Sequence, residues 1–155
     1  MLDKIQFKEL DYTIDLAEVY ALRRQQPNLI KTSSRGGWAS DRYTPTQAPL
    51  WADSILSALG PIECFWFNIN PPGASNAWHL HHGIMTSGVV YLEVPRQSGN
   101  IVFRHQGLEV SIEPRLGWCV EFPGLLEHCV EINASTEDRI CLVYNRFLLA
   151  RSKTH

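Results

Sequence analysis

Between residues 14 and 25 the apolar positions follow helical spacing. Leu16, Val19, Tyr20 and Arg23 recur at helical offsets and Pro27 ends the run, so an amphipathic helix is predicted there. Residues 31–50 are rich in turn formers, including Ser33, Ser34, Gly36, Gly37 and Pro49, and read as a long ordered loop. A second short helix is predicted over residues 50–59, closed by Gly60-Pro61. After Pro61 the texture changes. Short β-branched and aromatic runs follow one another at 62–70, 78–81, 87–94, 100–105, 108–112, 117–122, 127–132 and 139–148, separated by Gly, Pro, Asn and Ser clusters. A helical preface followed by short strands, without βαβ alternation, predicts an antiparallel sandwich or barrel. No internal repeat, low-complexity segment or dividing linker interrupts it. The expectation is therefore a single domain over 1–155, with a helical and loop preface at 1–60 and a β-barrel core at 61–149.

Composition narrows the class. A chain of 155 residues can bury a core without disulfide staples, and a charged fraction of 19% is a globular value. The formal net charge of −2 and scattered basic residues carry no nucleic-acid signature. No apolar run approaches the roughly 20 residues that span a bilayer, so no membrane role is expected. The N-terminus, Met1-Leu2-Asp3-Lys4, is too polar for a secretory signal. Cys64, Cys119, Cys129 and Cys141 show no CxxC spacing and sit mostly in apolar runs, which favours reduced buried thiols and a cytoplasmic location.

Chemistry concentrates in the histidines. In Trp78-His79-Leu80-His81-His82, strand alternation puts His79 and His81 on one face, about 7 Å apart, and His82 on the other. Two such imidazoles can converge on one metal ion, and imidazole suits zinc, copper, iron and nickel. Taken alone, the run serves equally as a surface cluster. A second feature adds weight: the stretch 117–128 reads as a strand, a Pro123-Gly124 turn and then His128, about 47 residues beyond His81. Arg139 opens the run Arg139-Ile140-Cys141-Leu142-Val143-Tyr144-Asn145, and its parity partners Cys141 and Val143 are apolar, so it belongs to an inward face. A buried guanidinium needs an anion. Either a protein carboxylate such as Glu121 or a substrate carboxylate, held by the planar fork, meets that need.

These pieces together resemble the bacterial and phage branch of the 2-oxoglutarate- and Fe(II)-dependent oxygenases. The resemblance lies in Gly36-Gly37-Trp38 with Ser40, Trp66-Phe67-Asn68, and Asn76-Ala77-Trp78-His79-Leu80-His81. It continues through Ser87-Gly88-Val89-Val90-Tyr91-Leu92, Ser98-Gly99 to Phe103, Phe122-Pro123 to His128, and Arg139-Ile140 to Asn145, over about two-thirds of the chain. It implies a double-stranded β-helix, a jelly-roll or cupin-like barrel, with one or two N-terminal helices. It also implies Fe(II) and 2-oxoglutarate as cofactors and hydroxylation of a small-molecule or peptide substrate, with release of succinate and CO2. Carried over residue by residue, His79 and His128 are metal ligands, and Arg139, eleven positions after His128, anchors the far carboxylate of 2-oxoglutarate. Tyr91, Asn68, Asn76 and Asn145 are the further residues expected around the co-substrate. Trp38 either forms a lid over the substrate or packs on the rim.

One position departs from the family. Where the first motif carries a carboxylate two residues after its histidine, this chain has His81. Either His79, His81 and His128 form a three-histidine site, which is the reading adopted, or Glu93, Glu121 or Asp41 supplies a carboxylate from elsewhere. A neutral third ligand leaves more net charge on the metal. The cupin pattern fits in part: Gly73, Gly117, Pro123 and His128 keep its spacing, whereas Leu125 replaces its glycine and Met85 its glutamate. A cupin-type three-histidine dioxygenase or isomerase, and a non-catalytic metal-binding barrel holding zinc, are the alternatives. Little insertion separates the strands, which suggests an open site and a homodimer.

Overall fold

The computed structural model describes residues 1–27 and 33–148; loop positions 31 and 32 and barrel position 149 lie outside them. Helix α1 spans Leu16–Gln25 and starts where the Asp15 carboxylate accepts the Ala17 amide at 3.0 Å. Helix α2, Asp53–Leu59, follows a 3₁₀ turn at Leu50–Ala52 and stops at Gly60, whose φ of 75° is a left-handed value. The predicted loop is more structured than its composition suggests. Besides a 3₁₀ turn at Pro45–Gln47 it carries two short strands, β2 (Ser34–Arg35) and β3 (Trp38–Ala39), each pairing with a strand from beyond residue 61. A further strand, β1 (Gln6–Glu9), precedes both helices. Its four residues are all exposed, and no apolar alternation announces it.

The remaining strands are β4 (Cys64–Asn70), β5 (Ser75–His79), β6 (Ile84–Glu93), β7 (Ile101–His105), β8 (Leu108–Ile112), β9 (Trp118–Pro123), β10 (Glu127–Val130) and β11 (Arg139–Leu148). Among the described residues they form two antiparallel sheets, ordered β1-β9-β6-β11-β4-β3 and β2-β5-β10-β7-β8. The architecture is mainly β, the expected double-stranded β-helix.

The larger sheet is covered on both faces. Ile140, Leu142, Tyr144, Val90 and Leu92 pack outward with Val19 and Leu22 of α1 and Ile55 and Leu59 of α2. Val89, Tyr91, Val120, Phe122, Cys141 and Val143 face the barrel interior with Ile101 and Phe103 of the smaller sheet. Two-sided burial explains why β6 and β11 read as continuous apolar runs instead of alternating ones. Where these strands meet, Gly88 lies opposite Tyr144, and a Cβ at Gly88 would overlap the tyrosine ring. The smaller sheet leaves β8 largely exposed.

Candidate active site

β5 sits between β2 and β10 in the smaller sheet and carries a bulge. His79 pairs with His128 and Asn76 with Val130, so three steps on β5 oppose two on β10. The extra residue reverses the parity of the strand, so Asn76 and His79 both line the interior despite their odd separation. Trp78 lies under the Arg104 guanidinium at 4.0 Å, and Arg104 is itself paired to Glu127 at 2.7 Å.

His81 lies beyond the end of β5. Its orientation therefore comes from a tertiary contact and not from strand alternation. The His81 amide donates to the Gly124 carbonyl at 2.7 Å, in the Pro123-Gly124 turn that leads to His128. His82, expected to point away, lines an outer cavity together with His79 and His81.

The three rings converge. One nitrogen from each of His79, His81 and His128 lies within 4.8 Å of the other two, and the His79 and His128 centroids are 4.2 Å apart. The second-nitrogen contacts set the tautomers. Nδ1 of His79 lies 2.7 Å from the Ala77 carbonyl and Nδ1 of His128 lies 2.9 Å from the Leu126 carbonyl. A carbonyl only accepts, so both Nδ1 atoms carry the proton and both Nε2 lone pairs are free. His81 Nδ1 lies 3.0 Å from Asn145 Oδ1 and 3.0 Å from Ser87 Oγ, while Ser87 Oγ donates to the Tyr144 carbonyl at 3.1 Å. This leaves His81 in the same tautomer. Burial, above all, lowers each histidine's pKa: His79 downward, His81 to about 4 and His128 to about 3. Neighbouring positive charge adds to the effect, from His79 on His128 and from His79 and Arg42 on His81. At neutral pH the site thus presents three uncharged nitrogen donors, the form that binds a metal.

Arg139 closes the inner end. It is 4% exposed, and its Nε and Nη2 are buried without a hydrogen-bond partner. Glu121, its candidate protein partner, is engaged elsewhere: Glu121 Oε1 accepts from Arg146 Nη2 at 2.6 Å and from the Tyr144 hydroxyl at 2.7 Å. The Arg139 guanidinium lies 5.4 Å from the centre of the Tyr91 ring, and the Tyr91 hydroxyl is also buried without a partner. Burial pushes the Tyr91 pKa up, so its hydroxyl remains a donor. One inner cavity is lined by His79, His81, His128, Arg139, Asn68 and Asn76, with Phe122, Val89 and Val143 as its apolar walls. Arg139, a buried donor with two unpartnered nitrogens that lines this cavity, is suited to an anion, and Tyr91 lies beside it without lining the cavity.

Other expected residues take varied positions. Asn76 accepts from Asn70 Nδ2 at 2.9 Å, and Asn68 lines both the inner and the outer cavity. Asn145 serves His81. No carboxylate joins the triad among the described residues: Glu93 is exposed at the end of β6, and Asp41 lines the outer cavity. Trp38 packs in the core, its indole donating to the Gln26 carbonyl at 2.7 Å, so it is not a lid. Ser87, Gly124 and the loop residue Asn133 had no assigned role in the sequence. Asn133 donates to the Asn70 and Glu137 carbonyls and braces the loop that delivers Arg139. Their contacts run between positions far apart in the chain, which no local motif reports.

Comparison with known proteins bears out the resemblance. The family model described as "Putative 2OG-Fe(II) oxygenase" matches residues 64–112, a segment that contains His79 and His81 but ends before His128 and Arg139. Such a match implies Fe(II) and 2-oxoglutarate as cofactors. Among solved structures, the fold is similar to that of a Pseudomonas putida prolyl-4-hydroxylase (22% identity, 92% of each chain covered, TM-score 0.64). It is also similar to a Trichoplax adhaerens prolyl hydroxylase solved with a hypoxia-inducible-factor peptide (12% identity, covering 92% of this chain and 83% of that one, TM-score 0.63). A third is a viral collagen prolyl hydroxylase from Paramecium Bursaria Chlorella virus-1, solved with 2-oxoglutarate (17% identity, covering 90% and 94%, TM-score 0.56). No curated protein matches the chain by sequence.

Proposed function

We propose that the protein is an Fe(II)- and 2-oxoglutarate-dependent oxygenase that hydroxylates its substrate, with His79, His81 and His128 as metal ligands and Arg139 as co-substrate anchor. One observation carries this reading. A buried arginine with two unpartnered nitrogens shares a cavity with three neutral, converging imidazoles. A metal site alone accounts for the histidines; an anionic ligand would also satisfy Arg139.

The residues present fit the cofactors. His79, His81 and His128 would hold the metal through three neutral nitrogens that lie within 4.8 Å of one another. The chemistry such a centre supplies is oxidative decarboxylation of 2-oxoglutarate to succinate and CO2, with one atom of O2 going to succinate and the other into a substrate C–H bond. The protein's share is positioning. The Ala77 and Leu126 carbonyls and Asn145 hold the imidazoles in the ligating tautomer. Arg139 pairs with the far carboxylate of the co-substrate, and the Tyr91 hydroxyl donates a hydrogen bond beside it. Asn68 offers a further amide donor, Asn76 is held between Asn70 and Ser33, and Phe122, Val89 and Val143 keep water from the inner cavity.

The test is spectroscopic. Anaerobic Fe(II) plus 2-oxoglutarate should give a weak visible charge-transfer band, and His128→Ala and Arg139→Ala should each abolish it. Fully iron-loaded wild-type protein without the band overturns the assignment. The all-histidine donor set also favours a second reading, a cupin-type enzyme that binds substrate directly on the metal. That reading expects tight metal binding with no 2-oxoglutarate affinity, and calorimetric titration separates the two.

A further inference from the structure

The outer cavity, of about 510 Å³, opens on His79 and His81 and is lined mainly by polar groups, among them Asn68, Asn70, Ser33 and Asp41. Its size falls within the range of small-molecule sites. Arg42 belongs to its wall. The side chain is exposed, and among the described residues it makes no hydrogen bond or ion pair. The guanidinium lies over the Trp66 ring, 4.5 Å from the ring centre.

The segment bearing Arg42 is fixed on both sides. The Asp41 amide donates to Gln26 Oε1 at 2.8 Å, and Tyr43 exchanges two backbone hydrogen bonds with Phe65 of β4, at 2.8 and 2.9 Å. The cation–π contact with Trp66 restrains the guanidinium further, and its N–H groups hold no hydrogen-bond acceptor among the described residues. Trp66 also lies 6.0 Å from the His81 ring, centre to centre. The cation therefore lies no farther from the His81 ring than these two distances together. Such a span suits a molecule with its anionic end on Arg42 and a C–H bond beside the metal ligands.

We propose that Arg42, lying over Trp66, is the substrate's anion anchor, and that the substrate is a polar, amino-acid-sized molecule bearing one carboxylate. A monoanion is favoured over a phosphate because Arg42 is the sole Lys or Arg among the described lining residues, and Asp41 places an opposing carboxyl in the same wall. The proposal rests on the oxygenase reading for the identity of the reacting bond. The recognition chemistry stands on geometry alone.

The test uses Zn(II)-loaded protein saturated with 2-oxoglutarate. N-acetyl derivatives of the common amino acids, each as free acid and as primary amide, are screened by ligand-observed NMR. Acids should bind, with their amides weaker by about 10-fold or more, the usual strength of a charge-assisted hydrogen bond. Arg42→Gln should weaken the acids to the level of the amides, and Arg42→Lys should fall between. Amides binding as well as acids overturn the proposal, as does acid affinity within twofold of wild type in Arg42→Gln. So do a loss seen in Arg139→Met but not in Arg42→Gln, the absence of any bound acid, and phosphoserine outcompeting every carboxylate. Titration of 2-oxoglutarate into the same wild-type sample judges the oxygenase reading separately. Acids bound through Arg42 without 2-oxoglutarate affinity would refute that reading and leave the anchor standing.

Discussion

Arg139 holds two buried, unpartnered nitrogens, and among the described residues it is the one charged side chain that lines the inner cavity with the three histidines. An unpaired buried charge costs folding energy, and the same desolvation sharpens its attraction for a carboxylate. Function and stability therefore oppose each other at this residue. In metal-loaded protein Arg139→Met should hold or raise the melting temperature while lowering 2-oxoglutarate affinity by about 100-fold, within the range for deleting one partner of a desolvated charge pair. Calorimetry and thermal melting of one preparation check both halves. The histidines oppose each other's protonation in the same enclosed space. Their folded pKa values lie below the unfolded value of about 6.5, so the unfolded chain binds more protons below that pH. Stability of the metal-free protein should be complete above pH 6.5 and decline as the pH falls toward about 4. Melting temperatures equal at pH 7 and pH 5 would contradict the neutral, desolvated site.

At the level of elements, the site depends on two irregularities. The bulge in β5 brings Asn76 and His79 to the same interior, and the Pro123-Gly124 turn fixes His81 after the strand has ended. Gly124 can play this part because it has no side chain: a Cβ would overlap the Ile84 backbone carbonyl. Gly124→Ala should displace the turn or Ile84 and cost about 1–3 kcal/mol, as overpacking does. It should also weaken metal binding more than a surface control of equal stability loss. Metal titration of the variant beside a destabilised surface mutant distinguishes a positioning effect from a loss of fold.

Across the whole molecule, the larger sheet is covered on both faces, by helices on one side and the barrel interior on the other. It contributes Arg139, Asn145, Ser87 and Tyr91, while the smaller sheet contributes His79 and His128. A bound metal would tie β5 and β10 of the smaller sheet to the segment that follows β5, so loading should raise stability by mass action, by about 4 kcal/mol at a metal concentration 1,000 times Kd. Thermal melting with Fe(II) or Zn(II), then with chelator, measures it. A melting curve indifferent to both would favour a barrel without a metal role.

The chain's own pattern was enough for the helices, the eight core strands, the fold class, and the triad with Arg139 as candidates. The elements and the antiparallel barrel rest on local periodicity and turn residues, whereas the double-stranded β-helix and the roles of the triad and Arg139 rest on the family resemblance. What it could not settle depends on contacts between distant positions. Strand alternation put His81 on the metal face for a reason that does not hold, since His81 lies outside the strand and Gly124, forty-three residues on, orients it. By residue type Glu121 is an equal partner for Arg139, but its Oε1 accepts from Arg146 and Tyr144 instead. β1, β2 and β3 escaped prediction because they are short and mostly partly or fully exposed, and exist only through the strands they join. Residue types and their order determined which atoms can ligate. Tertiary structure decided which of them meet, because convergence is set by bulges, turns and sheet pairing rather than by distance along the chain.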